Sequence, residues 1–312
     1  MLSRVADTMY WMARYMERTQ GMLQIIRTSY ISSQDDIKDF SWRALLNTYG
    51  CELDKEQITK IEKDTTKAFE CLMLDRNNSS SAFNNVSQAR ENARAIQDHI
   101  TKELWQCLNN YYHFVREPET ADQLKHGDPI TAIDLWIRNG LLFTGTVKNT
   151  MTRDDGYTFL HLGKFLERAI LTTDILRIKL NEIEPEGFQS VDARGLRYLL
   201  YSLFGYEIYM KTYKGHFSIG QVLELVLYNP FFPHSIMYSL NQLNKYFERL
   251  KPASLPHNYQ QLEFIIGKSL NNVKYSNLEA ENLQMLNQFL LKTRRDLIEM
   301  GNSFSRYYFG NT

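Results

Sequence analysis

The sequence predicts an all-α fold, a multi-helix bundle of about 10–12 helices made of two pseudo-two-fold-related halves, and three observations carry that prediction. Only 7 prolines and 15 glycines occur in 312 residues, and no proline precedes Pro118, so little interrupts a helix. A sandwich or barrel needs turn punctuation every ~8–12 residues, and that punctuation is missing. Apolar residues recur at spacings of three and four, the period of a helix with one buried side.

The elements follow in order from that period. Leu2, Val5, Met9, Met12, Met16, Leu23 and Ile26 form one stripe, which predicts a helix running to about Tyr30. Asp54–Leu72 repeats the pattern more weakly. Ser81–Leu108 repeats it strongly, with Ala89, Ala93, Ile96, Ile100 and Cys107 on its stripe and alanines permitting close approach of a second helix. Pro118 stands at a helix start. Ile133, Trp136, Ile137, Leu141 and Phe143 then give the following helix a broad apolar face. Helices are predicted at Tyr157–Leu180, Val191–Tyr213, Ser218–Tyr228, Pro233–Leu250, Tyr259–Leu270 and Leu278–Tyr308. The best loops are Leu180–Gln189, with Pro185 and Gly187, and Lys251–His257, with Pro252 and Pro256.

Composition excludes several function classes. Lys plus Arg equal Asp plus Glu at 36 each, so no bulk positive field recommends a nucleic-acid partner. Cys51, Cys71 and Cys107 are odd in number and widely spaced, which fits core thiols in a reducing compartment better than disulfides or a zinc site. Charged residues Asp7, Arg14, Glu17 and Arg18 interrupt the first apolar stretch, so it does not read as a signal peptide. The strongest later run, Tyr198–Met210, is shorter than the ~20 residues that cross a bilayer. The expected address is the cytoplasm, with no membrane partner. Seven histidines, including His216 and His234, lie scattered without metal spacing. Glycine-rich phosphate loops and the GxSxG elbow are absent, so no metal and no cofactor is expected.

Sliding the chain against itself reveals a repeat. Ala13-Arg14-Tyr15-Met16-Glu17-Arg18 matches Gly163-Lys164-Phe165-Leu166-Glu167-Arg168 at an offset of 150, and Met9, Met12, Met16, Leu23 and Ile26 map onto Phe159, Leu162, Leu166, Thr173 and Leu176. A second match at an offset of 154 aligns the segment from Asp75 to Ala82 with that from Asn229 to Ile236, each an Asx-led turn opening onto a helix. Two matches in one order predict halves at about 1–150 and 151–312 within a single 1–312 domain.

The repeat carries the candidate chemistry. Arg14, Glu17 and Arg18 share a helix face outside the apolar stripe, as do Lys164, Glu167 and Arg168. As ordinary helix ion pairs they are worth about 0.3–0.5 kcal/mol each. Yet like charges at i, i+4 repel and Arg before Glu is the less favoured order, so helix stability alone does not account for the pattern occurring twice. Arg90 and Arg94 stack at the same spacing and invite an anion: Glu17 or Glu167 from a facing helix, or a phosphate or carboxylate ligand. The catalytic candidates are therefore Glu17 and Glu167, and the binding candidates Arg14, Arg18, Arg90, Arg94, Lys164 and Arg168.

At these residues the chain resembles the bacterial alpha-E family, α-helical proteins formerly catalogued as a domain of unknown function. The resemblance rests on Met1–Ala6, Tyr10-Trp11-Met12, Arg14–Arg18, Ala89–Arg94 followed by Asp98, Glu103 and Trp105, Phe165–Arg168, and Asn229–Ser235. Lys164 and His234 stand where the family commonly has arginine, and Arg76 where it has proline. Members are encoded beside, or fused to, circularly permuted ATP-grasp proteins and transglutaminase-like proteins. The resemblance thus implies a component of a peptide-type amide-bond synthesis or modification system, with a peptide or amino-acid substrate and the Glu-Arg elements around a polar cleft. The alternative is a non-catalytic helical scaffold that binds an ATP-grasp partner or its peptide substrate.

Overall fold

The computed structural model describes residues 2–35, 40–50, 53–183, 193–215, 217–252, 256–278 and 282–310. Cys51, His216, and Pro185 with Gly187 of the first expected loop lie outside the described residues, as does the middle of the second loop. Among the described residues the chain is all α, with fifteen α-helices and no strand. It divides into two compact units, Trp11–Arg153 and a second made of Met1–Tyr10 with Asp154–Thr312.

The first unit holds most of α1 (Ser3–Gln34), then α2 (Arg43–Tyr49), α3 (Lys55–Ile61), α4 (Thr65–Phe69), α5 (Ala82–Ala95), α6 (Lys102–Arg116), α7 (Pro118–His126) and α8 (Pro129–Thr150). Helices exceed the expected count because α2 was not predicted and three predicted helices are divided, two of them in this unit by side-chain caps. Asp64 accepts the Lys67 amide and so restarts the chain within 54–72. Thr101 accepts the Leu104 amide after a single 3₁₀ turn and so divides 81–108. Pro118 and Pro129 each open a helix at its first position. Ala89 and Ala93 are wholly buried where α5 meets α6, and Ile133, Trp136, Ile137 and Phe143 bury against the core from α8. Leu141 departs from its expected face and is exposed, as is Leu2 at the start of the first stripe.

The second unit is built on α9 (Asp155–Ile183), along which α13 (Ile236–Glu248) lies, with α10 (Ala193–Ser202) and α15 (Leu283–Phe304) also against it. It is completed by α11 (Tyr206–Tyr213), α12 (Ile219–Leu223) and α14 (His257–Lys274). Gly163 on α9 sits where an added Cβ would overlap the Tyr10 carbonyl oxygen, so glycine is what permits that approach. The predicted helix across 191–213 breaks at Phe204, whose φ is +56°. Gly205 N–H bonds to Leu200 O at 2.8 Å and Phe204 N–H to Tyr201 O at 3.3 Å, the paired bonds of a Schellman ending.

The two segments related by 154 residues have the same local structure. Thr65–Phe69 runs into a π turn at Glu70–Leu74, closed by Asp75 N–H on Glu70 O at 2.7 Å. Ile219–Leu223 runs into a π turn at Glu224–Tyr228, closed by Asn229 N–H on Glu224 O at 3.1 Å. Each then turns through an Asx residue and enters a helix capped by serine: Ser81 accepts the Asn84 amide and Ser235 the Tyr238 amide. Nothing in the sequence announced the π turns.

Candidate functional site

The charged triplets are not on a solvated face. Arg14 and Glu17 on α1 are each 8% exposed and Glu167 on α9 is 2% exposed, while Arg18, Lys164 and Arg168 are half-buried. Helices α1 and α9 are buried around most of their girth, so the face outside the apolar stripe is covered as well. All five buried charged residues among the described ones, Arg14, Glu17, Glu167, Asp174 and Lys179, lie on these two helices. Removing an ion from water costs several kcal/mol even after the protein relaxes around it, so five such groups on two helices are not incidental. Around the first triplet the arginines lie over aromatic rings, Arg14 at 4.4 Å from the Trp11 centroid and Arg18 at 5.8 Å from that of Tyr15.

Arg90 is fixed within its own unit. Its guanidinium lies 5.1 Å from the ring centroids of both Trp105 and Tyr112. Its Nε and Nη2 donate to Asn109 Oδ1 at 3.3 and 3.2 Å, and its Nη1 to Glu91 at 2.5 Å. Arg94 reaches the other oxygen of Glu91 at 2.7 Å from a largely exposed side chain. Glu91 therefore serves both arginines as an anion, a contact the i, i+4 reading of Arg90 and Arg94 passed over although the residue lies between them.

The second triplet meets the Asn229–Ser235 turn. Arg168 Nη1 donates to Pro233 O at 3.2 Å, and Thr172 Oγ1, one turn further along α9, donates to His234 O at 3.0 Å. Lys164 and Arg168 both lie over the Phe165 ring, at 5.8 and 5.6 Å. The half-buried His234 imidazole is held well below the usual histidine range, first by burial and then by the charges of Arg168 and Lys164. It is therefore neutral at pH 7, with one nitrogen to donate and one to accept. Its ring centroid lies 5.3 Å from Phe204 and 6.1 Å from Phe232. The fold thus brings together two segments 65 residues apart that the sequence presented separately.

Sequence reasoning missed Asp174. This carboxylate, two turns along α9 from Glu167, is 4% exposed; Arg294 Nε donates to it at 2.6 Å and Arg177 lies at 3.8 Å. Burial holds its carboxyl above the usual range, Arg294 and Arg177 oppose that, and the charge of Glu167 adds to it. The i, i+7 spacing from Glu167 was a legible signal of a shared face, whereas Arg294, 120 residues away, carried none. Among the described residues no three His, Cys, Asp or Glu side chains gather as a metal site.

The comparisons with known proteins bear on these residues. The family model Alpha-E, described as a predicted alpha-helical domain with a conserved ER motif, matches residues 1–309. Glu-Arg occurs in this chain at 17–18, 167–168 and 248–249. An uncharacterised protein of Mycobacterium bovis and one of Mycobacterium tuberculosis are each 24% identical over 262 residues, covering 77% of this chain and 29% of the relative. The chain thus spans less than a third of the length of these curated relatives. No solved structure matches it.

Proposed function

The chain belongs to the Alpha-E family, and from that membership we propose that it is a cytoplasmic component of a system that makes or modifies peptide-type amide bonds. In this reading it works beside a circularly permuted ATP-grasp protein and a transglutaminase-like protein. The Glu-Arg elements at Glu17-Arg18 and Glu167-Arg168 handle a peptide or amino-acid substrate, the glutamates orienting an amine and the cations holding a carboxylate or phosphate. The observation that carries the reading is that, among the described residues, buried charge is confined to α1 and α9. Apolar residues of similar volume commonly stabilise a fold as well as or better than buried ions, so stability does not account for the charges. The length of the relatives supports it too: a domain that occupies 29% of a chain shares that chain with something else. The buried cysteines Cys71 and Cys107 agree with a reducing compartment.

A second reading, a non-catalytic scaffold for the ATP-grasp partner or its substrate, is favoured by Arg90, whose donors are occupied by Asn109 and Glu91. One experiment separates the two. Glu17→Gln and Glu167→Gln keep volume and an acceptor, and each is assayed with the ATP-grasp partner for ATP-dependent product by mass spectrometry. The proposed function expects product formation to fall at least about ten-fold, a loss of about 1.4 kcal/mol in transition-state binding, at a near wild-type melting temperature. Unchanged product, or a loss no larger than the loss of folded protein, rejects it in favour of the scaffold.

A further inference from the structure

Phe204 closes α10 in the left-handed conformation, a place glycine fills without strain, and Gly205 stands one residue too late to fill it. Burial does not explain the phenylalanine either, because it is 44% exposed, with its ring against His234. Strain at an exposed aromatic is an observation from which function is properly inferred. Phe231 is 86% exposed on the adjoining turn. That turn is firmly held: Asn229 Oδ1 accepts from the Phe231 and Phe232 amides at 2.8 and 3.0 Å, and Ser235 Oγ donates to Asn229 O at 2.5 Å. An aromatic presented on a fixed turn loses little freedom when it is covered. The His234 imidazole lies against the Phe204 ring, Arg168 bonds Pro233 O on the same turn, and the charges of Arg168 and Lys164 are felt at that imidazole.

We infer that this face of the second unit binds a carboxylate carried next to an apolar or aromatic group, as at the end of a peptide or in an amino acid. The carboxylate meets His234 and the Lys164–Arg168 pair, and the apolar group lies against Phe204 and Phe231. A neutral imidazole donates one hydrogen bond, and two cations one turn apart supply the field. The inference deepens the function proposed above and rests on it in taking the second Glu-Arg element as a working site.

The test uses the full chain and four probes: N-acetylphenylalanine, Gly-Phe, phenylalanine and phenylalaninamide, followed by calorimetry and by the His234 imidazole NMR signal. N-acetylphenylalanine is expected to bind and shift that signal, and phenylalaninamide, which lacks the carboxylate, to do neither. Phe204→Gly and Phe231→Ala are each expected to weaken binding at least about ten-fold, the former with an unchanged or higher melting temperature because its strain is relieved. Binding of Gly-Phe without phenylalanine identifies a peptide end, and equal binding of both identifies the amino acid. No binding at about 10 mM probe, equal binding of phenylalaninamide, or unaltered binding by both folded variants overturns the inference. If the probe binds but Glu167→Gln leaves product formation intact, the function proposed above fails and this site stands. If Glu167→Gln abolishes product and no probe binds, this site alone fails.

Discussion

At the scale of the residue, His234 shows how the second unit tunes a side chain by position. Burial, Arg168 and Lys164 all favour the neutral imidazole, so its folded pKa lies below the ordinary 6.5. Between that folded value and 6.5 the unfolded chain binds a proton that the folded chain refuses. The histidine's contribution to stability is therefore fully present above 6.5 and is lost as pH falls through the window, at no more than about 1.4 kcal/mol per pH unit. Melting temperature followed from pH 7.5 to 5 is expected to decline more steeply for the wild type than for His234→Gln; parallel curves would show that the imidazole is not so held. Asn78 makes a different kind of claim. Its buried amide donates to Tyr49 O and Cys71 O at 3.0 and 2.9 Å and accepts from the Ser80 amide at 3.0 Å. Asn78→Ala leaves two buried carbonyls and an amide without that partner, and a loss of about 2–3 kcal/mol in urea unfolding is expected. A loss below about 0.5 kcal/mol would mean that the turn is held by its neighbours instead.

At the scale of the element, the period of three and four located the helices, and short-range chemistry set their ends. The stripe of α1 was legible from Val5 to Ile26, all of whose apolar members are buried. The breaks at Asp64 and Thr101 were not, because aspartate and threonine also occur within helices and only the accepted amide shows the cap. The π turns at Glu70–Leu74 and Glu224–Tyr228 add one residue to a turn without any marker residue, so period alone passes over them. Gly163 illustrates a signal seen but not understood. It aligned with Ala13 in the repeat, yet the need for glycine comes from the Tyr10 carbonyl, which an alanine Cβ would overlap. Since the obstacle is backbone and not a flexible side-chain end, Gly163→Ala must move α9 or the start of α1. A destabilisation of about 2 kcal/mol or more is expected in denaturant titration. Wild-type stability in that variant would show that the two backbones separate at little cost.

At the scale of the whole molecule, polarity is distributed in an unusual way. Of twenty-three buried polar or charged residues among those described, seven lie on α1 and six on α9. Several are threonines satisfied by their own helix, as Thr28 is by Gln24 O and Thr173 by Ala169 O. Of the charged ones, Lys179 is paired three residues along its own helix with Glu182, whereas Asp174 is also bonded by Arg294 from α15. The all-α class and the duplicated Glu-Arg pattern were legible because both are written in local spacing. The burial of that pattern was not, since a face outside the stripe reads as solvated until the neighbouring elements are known. One consequence separates the two Glu-Arg elements. Seven residues beyond Glu17 stands Gln24, whereas seven beyond Glu167 stands Asp174, so only the second element places a second carboxylate on its own helix face. Glu167 and Asp174 repel when both are ionised, and that repulsion is one cause of the raised Asp174 carboxyl. Removing the Glu167 charge in Glu167→Gln is therefore expected to lower the Asp174 pKa, modestly because burial is the larger cause and persists. Arg294→Gln, which removes the opposing cation, is expected to raise it. Carboxyl-carbon NMR of Asp174 in the three proteins reads both shifts against the wild type. Opposite displacements would establish the pair as a coupled acid set within α9. An Asp174 titration unmoved by Glu167→Gln would mean that the two carboxylates are electrostatically independent, and that Glu167 acts, if at all, without its neighbour.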